Sequence, residues 1–208
     1  MKKNFFYLSL IFGFCAELSA QNFSKYSVQN AHSHNDYHQP VPFWTAYNEG
    51  FGSIEADVFY QNGQLLVGHD PEELTAERTL QNLYLDPVSQ MIRKNKGNIY
   101  ADPSKKLVLL IEMKSDYHTE LPELVKVLRQ KYQDIITNPG IKIVITGHVP
   151  EPAEFDNYPD FIFFDGDFAK AYSPAQLKRV GMLSSNLQLF TSWHGKGIMR
   201  DEEVLKVK

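Results

Sequence analysis

The segment Leu107–Met113 is apolar at every position except Glu112, a composition that suits a strand covered on both faces. Similar strand-like runs recur at Val28–His32, Ser53–Tyr60, Ile141–Thr146, Phe161–Phe164 and Leu187–Ser192. Helix-like stretches separate them. Pro42–Asn48 reads as a short helix closing at Gly50, and Asp86–Lys96 as one with Pro87 in its first turn. Thr119 opens the clearest helix, with Leu121, Leu124, Val125, Leu128 and Tyr132 at helical spacing. A further short helix is expected near Ser173–Val180, with Ser173 as its cap and Pro174 behind it. Gln64–His69 forms an excursion, joined to Ser53–Tyr60 by the turn Gln61-Asn62-Gly63. Apolar strands alternating with amphipathic helices predict an α/β domain built on a parallel sheet.

The polar residues gather where these strands end. His32, His34, Glu55, Asp57, His69, Glu112, Lys114, His148 and Asp165 all lie at or just past the C-terminal ends of apolar runs. That is the active-site edge of a TIM (β/α)8-type barrel. An open doubly wound sheet also binds ligands there, but the chain has no Gly-rich phosphate loop to support that alternative. Only six principal strands are expected, and the sequence stops within the helix-like stretch Asp201–Lys208. The expectation is therefore a barrel truncated after about six strands, its C-terminal part missing.

Residues 1–20 have the layout of a secretory signal peptide: Lys2 and Lys3, the apolar run Phe5–Ala16, then Leu18-Ser19-Ala20. The run is too short for a membrane span, and a lipoprotein anchor at Cys15 would want a small residue where Phe14 stands. The expected product is a secreted or periplasmic protein, one domain over residues 21–208, without a stable membrane span. Cys15 is the single cysteine, so disulfides and thiolate chemistry are excluded from that domain. Of 21 basic and 25 acidic residues, Lys2, Lys3 and Glu17 fall in the leader, which leaves 19 and 24 and a net charge of −5. With no basic run, a nucleic-acid partner is not expected.

Side chains alternate along a strand, so Glu55 and Asp57 share one face while Ile54, Ala56 and Val58 share the other. Two adjacent carboxylates on an otherwise apolar strand repel each other and resist burial. A hard divalent cation such as Ca²⁺ or Mg²⁺ would relieve that conflict.

Four segments in order carry a family resemblance: Ala31-His32-Ser33-His34-Asn35-Asp36-Tyr37, Ser53-Ile54-Glu55-Ala56-Asp57-Val58, Val67-Gly68-His69-Asp70 and Leu110-Ile111-Glu112-Met113-Lys114. In these the chain resembles the glycerophosphodiester phosphodiesterase and phosphatidylinositol phospholipase C-like superfamily. Where that family usually has His-Arg-Gly, this chain has His32-Ser33-His34, the mark of a separate branch. The resemblance implies a hydrolase of phosphodiesters, with a small-molecule or lipid-derived substrate. It implies His32 and His69 as the acid–base pair, with His34 as the alternative to His32, and Glu55, Asp57 and Glu112 as ligands of a Ca²⁺ or Mg²⁺ ion. It also implies Lys114 facing the phosphate, with His34 and Asn35 near the substrate. His148, Asp165 and Trp193, at later strand ends, are expected as pocket walls.

Two other readings stand beside this one. His32-Ser33-His34 also resembles the His-x-His of polynuclear metal phosphoesterases and amidohydrolases, which hold transition metals on many histidines. The third is a binding protein that has kept the fold and lost turnover.

Overall fold

The computed structural model describes residues 26–207, and the leader read from residues 1–20 lies outside them. Seven strands form one sheet: β1 His32–Ser33, β2 Ser53–Gln61, β3 Gln64–Val67, β4 Leu107–Met113, β5 Ile141–Gly147, β6 Ile162–Asp167 and β7 Val180–Ser184. Among the described residues six α-helices accompany it: α1 Trp44–Glu49, α2 Asp86–Lys94, α3 Tyr117–Lys131, α4 Gln133–Ile136, α5 Pro174–Leu177 and α6 Asp201–Val207.

The strand order is β1-β2-β4-β5-β6-β7, parallel throughout, with β3 pairing antiparallel to β2 off that path. Each crossover advances to the next strand in sequence, so the order never reverses and no doubly wound crevice exists among the described residues. The sheet curls into a half-barrel of six parallel strands. Asn62 and Gly63 both adopt positive φ, 53° and 78°, as the two-residue β2–β3 hairpin requires.

Strand alternation then divides the two faces. Ile54, Ala56 and Val58 on β2, with Leu107, Leu109, Ile111 and Met113 on β4, point to the helices. They pack in the core with Leu121, Leu124 and Leu128 of α3 and Val88 and Ile92 of α2. Each such aliphatic side chain contributes roughly 1.5–3 kcal/mol by burial. Glu55, Asp57, Leu110 and Glu112 occupy the opposite, concave face, because Glu55 pairs with Leu110 and Asp57 with Glu112 in register. Glu112 in turn pairs with Thr146.

Several expectations require correction. Val28–Asn30 is a 3-10 turn rather than strand, because Ser27 and Asn30 cap it reciprocally; the strand begins at His32. Leu187–Ser192 is not a strand either: Asn186 caps a 3-10 turn at Leu187–Leu189. The sixth parallel strand is instead Val180–Ser184, whose first residue the sequence placed at the end of a helix. Its Gly181 is required by packing, since a Cβ there would lie 2.7 Å from both Phe163 Cβ and Val144 Cγ2. Helix α3 starts before Thr119, with the Asp116 side chain accepting from the His118 amide. No helix among the described residues is long and apolar enough to cross a membrane.

Candidate active site

Asp57 is fully buried and Glu55 is 5 % exposed, both in the part of β2 that pairs in parallel with β4. Across the register Glu112 joins them, and one carboxylate oxygen from each of the three lies within 4.8 Å of the others. Burial, then the charge of Asp57, pushes the Glu112 carboxyl above its ordinary range, partly offset by Lys114. Asp57 Oδ1 is buried and makes no hydrogen bond. Three converging hard oxygens with one left unsatisfied fit a divalent cation of the Ca²⁺ or Mg²⁺ kind.

Two groups of cationic or titratable side chains flank this trio. On one side Lys114 Nζ lies 3.3 Å from Asp57 Oδ2 and 3.4 Å from Glu112 Oε1. Burial opposes the Lys114 charge, but the two carboxylates outweigh it and raise the ammonium above its ordinary value. His69, delivered by the loop after β3, places Nδ1 3.2 Å from Asp57 Oδ2. Its backbone N–H donates to Glu73 Oε2 at 2.8 Å, which pins the loop, and His38 Nε2 lies 3.3 Å from the same oxygen.

On the other side are the histidines of the β1 turn. His32 Nε2 and His34 Nε2 lie 3.7 and 3.6 Å from Glu55 Oε2. His32 is the better fixed: its Nδ1 is 2.9 Å from Ser53 Oγ, whereas the His34 side chain is 71 % exposed. Burial works against the Glu55 charge. His32, the Asn35 amide and His34 together prevail and hold its carboxyl below the ordinary value.

The turn that presents these histidines is built by Asp36 rather than by substrate contacts. Asp36 is fully buried and accepts from Phe43 N at 2.5 Å, Ser33 Oγ at 2.8 Å and Tyr84 Oη at 3.1 Å. Asn35 takes part through its backbone, donating N–H to Glu55 Oε2.

The structure brings His32, His34, Asn35, Glu55, Asp57, His69, Glu112 and Lys114 to one edge of the sheet. Of the three residues expected as pocket walls, Asp165 and His148 belong to later strand ends and Trp193 does not. Asp165 stands at the end of β6, where Oδ2 accepts from Thr146 Oγ1 at 3.2 Å and Ser184 Oγ at 2.5 Å. His148 follows β5, its Nδ1 2.9 Å from the Ser115 carbonyl. Trp193 is not at a strand end. It lies in a loop and donates Nε1–H to Gly197 O at 3.2 Å, because the strand expected before it does not form. Sequence reasoning missed Tyr37, Ser53 and Glu73, which hold the histidines. Ser53 could have been found, since a strand residue two before Glu55 shares its face.

Residues 22–165 match the family model for the AIM6-like phosphodiesterase domain, a span that contains the carboxylate trio, Lys114 and all the histidines that flank it. Among curated relatives, the chain is similar to the altered inheritance of mitochondria protein 6 homolog of Arthroderma benhamiae, 32 % identical over 65 % of this chain and 52 % of the relative. It is also similar to the altered inheritance of mitochondria protein 6 of Lachancea thermotolerans, 30 % identical over 69 % of this chain and 42 % of that protein. With the protein of that name from Eremothecium gossypii it shares 37 % identity over 42 % of this chain and 26 % of the relative. The chain thus spans about half the length, or less, of these relatives. No solved structure matches it at a significant level. Its matched span covers more than half of the 208 residues, and the chain belongs to the family of AIM6-like phosphodiesterase domains.

Proposed function

We propose that the chain is a metal-dependent phosphodiesterase of the glycerophosphodiester phosphodiesterase and phosphatidylinositol phospholipase C-like type, built on part of a TIM-type barrel. The observation that carries the reading is the convergence of Glu55, Asp57 and Glu112 within 4.8 Å, with histidines on both flanks and Lys114 against them. A phosphodiester is protected from attack by its own charge. A Ca²⁺ or Mg²⁺ ion held by the three carboxylates would neutralise part of that charge as more develops in the transition state. Lys114 supplies a second positive charge at the same edge.

His32 and His69 form the acid–base pair. One removes the proton from the attacking hydroxyl or water, and the other protonates the leaving oxygen; imidazoles suit both tasks near neutral pH. The hydrogen-bonding distance from His32 to Ser53 favours His32 over the more exposed His34 for one of these roles. The attacker can be a hydroxyl of the substrate itself, which would give a cyclic phosphate. The ligand chemistry weighs against the polynuclear reading: among the described residues the cluster that could hold a metal is all carboxylate. The leader read from residues 1–20 makes the proposed location secreted or periplasmic, and the substrate a small or lipid-derived phosphodiester.

The test is hydrolysis of bis(p-nitrophenyl) phosphate after EDTA treatment, with Ca²⁺, Mg²⁺, Mn²⁺ or Zn²⁺ added back, beside His69→Ala and Glu55→Ala variants. Activity restored by Ca²⁺ or Mg²⁺ and lost in both variants is the expected result. Restoration by Zn²⁺ or Mn²⁺ alone would move the assignment to the histidine-metal hydrolases. Metal binding without turnover would leave the binding-protein reading.

A further inference from the structure

The hydroxyl of Tyr37 sits 3.3 Å from His69 Nδ1, the same nitrogen that faces Asp57 Oδ2 at 3.2 Å. Tyr37 is 2 % exposed, so its position is fixed by packing and not by solvent. The 3-10 turn Asp36–His38 carries it, Arg78 donates to its carbonyl at 2.8 Å, and its ring meets His38 edge-on at 4.6 Å. A buried phenol gains little by pointing its hydroxyl at a charged site unless that hydroxyl has a partner there. Here it has one, His69 Nδ1.

We propose that Tyr37 is a positioning residue that fixes the tautomer of His69, keeping the proton on Nδ1 and leaving Nε2 free to face substrate. The imidazole has two nitrogens, and the hydrogen bond made by one determines the role of the other. Asp57 cannot do this alone. Its Oδ2 already receives Lys114, and in the proposed function its oxygens are shared with a cation, which weakens it as an acceptor for His69. Tyr37 is neutral and not a metal ligand candidate, so its hydroxyl stays available to Nδ1–H whether or not a cation is present. A hydroxyl can accept from Nδ1–H, and the 3.3 Å separation places that of Tyr37 to do so.

The catalytic use of this arrangement and its response to Ca²⁺ rest on the phosphodiesterase reading; the contact of Tyr37 with His69 does not. The experiment is therefore double. Nitrogen-15 spectra of the His69 ring, recorded at alkaline pH with and without Ca²⁺, are compared between the full chain and Tyr37→Phe, which removes only the hydroxyl. The expected wild-type ring is the Nδ1–H tautomer in both conditions, and in Tyr37→Phe a mixture with Nε2–H that grows when Ca²⁺ is added. In parallel, kcat for bis(p-nitrophenyl) phosphate should fall about 10- to 100-fold with KM changed less than about twofold, as expected for loss of a group that orients another. An unchanged tautomer in Tyr37→Phe would overturn the proposal, as would a wild-type ring carrying Nε2–H. If the wild type shows no turnover, the spectra alone decide the proposal and the phosphodiesterase reading falls separately.

Discussion

The backbone N–H of Asn35 donates to Glu55 Oε2 at 3.0 Å, tying the histidine turn to the first carboxylate of the trio. Asn35 reaches that oxygen because it adopts φ 48°, a left-handed conformation that asparagine tolerates and bulky residues resist. The contact is made by the backbone, so the side chain matters only through the conformation it allows. Asn35→Gly is expected to leave stability and activity within a few tenths of a kcal/mol of wild type. Asn35→Val should cost about 1–2 kcal/mol in a urea melt and lower metal affinity, because Glu55 loses the donor that holds it. Equal behaviour of the two variants would show that the turn does not depend on this backbone geometry.

In the proposed function the carboxylate trio would couple metal binding to stability. Without a cation, burial and the neighbouring Asp57 charge work against the ionised form of Glu112. Ca²⁺ or Mg²⁺ at 100 times its dissociation constant is expected to stabilise the fold by about 2.7 kcal/mol through mass action. Glu112→Gln removes a repelling charge, so its metal-free form should melt at or above the wild-type temperature. The metal-induced rise should be largely lost. Thermal melts with EDTA and with each ion check both halves, and a variant that keeps the full metal-dependent rise would remove Glu112 from the ligand set.

What could be read from the sequence, and what could not, has physical causes. Leu107–Met113 was recognisable because a strand with apolar side chains on both faces leaves a continuous apolar run, and β4 has those bounds. The Asn62-Gly63 hairpin was recognisable because its turn demands residues that accept positive φ. The pairing of Glu55 and Asp57 on one face followed from the period of two. Glu112 joins them through sheet register, which a single sequence does not encode; the resemblance supplied it. The strand β7 was hidden because Gly181 serves close packing against Phe163 and Val144 and carries no strand propensity. Leu187–Ser192 has the composition of a strand, but Asn186 captures the Gln188 amide and starts a turn instead. Tyr37 belongs to the first motif segment, but its contact with His69 carried no signal, since the two lie 32 residues apart and meet through the β2–β3 excursion.

The last expectation concerns Glu120, in the first turn of α3 and fully buried. Its Oε2 accepts from the Ser115 amide at 3.0 Å, while Oε1 is buried without a hydrogen bond. The start of a helix favours a negative charge, but burial wins here and pushes the carboxyl up to about 8, with only partial relief from Ser115. The folded chain therefore prefers the protonated acid, whereas the unfolded chain ionises near the ordinary value of 4.5. Below that value Glu120 costs nothing. As pH rises from about 4.5 to about 8 the unfolded state sheds this proton first, and stability falls by an amount on the order of a few kcal/mol. Above about 8 the loss is complete. Glu120→Gln cannot ionise, so it should flatten this slope and be more stable than wild type at pH 8.5, though not at pH 4. Urea midpoints of both proteins across that range provide the check. Parallel pH dependences would mean that Glu120 stays ionised in the fold and that its environment is more polar than its burial indicates.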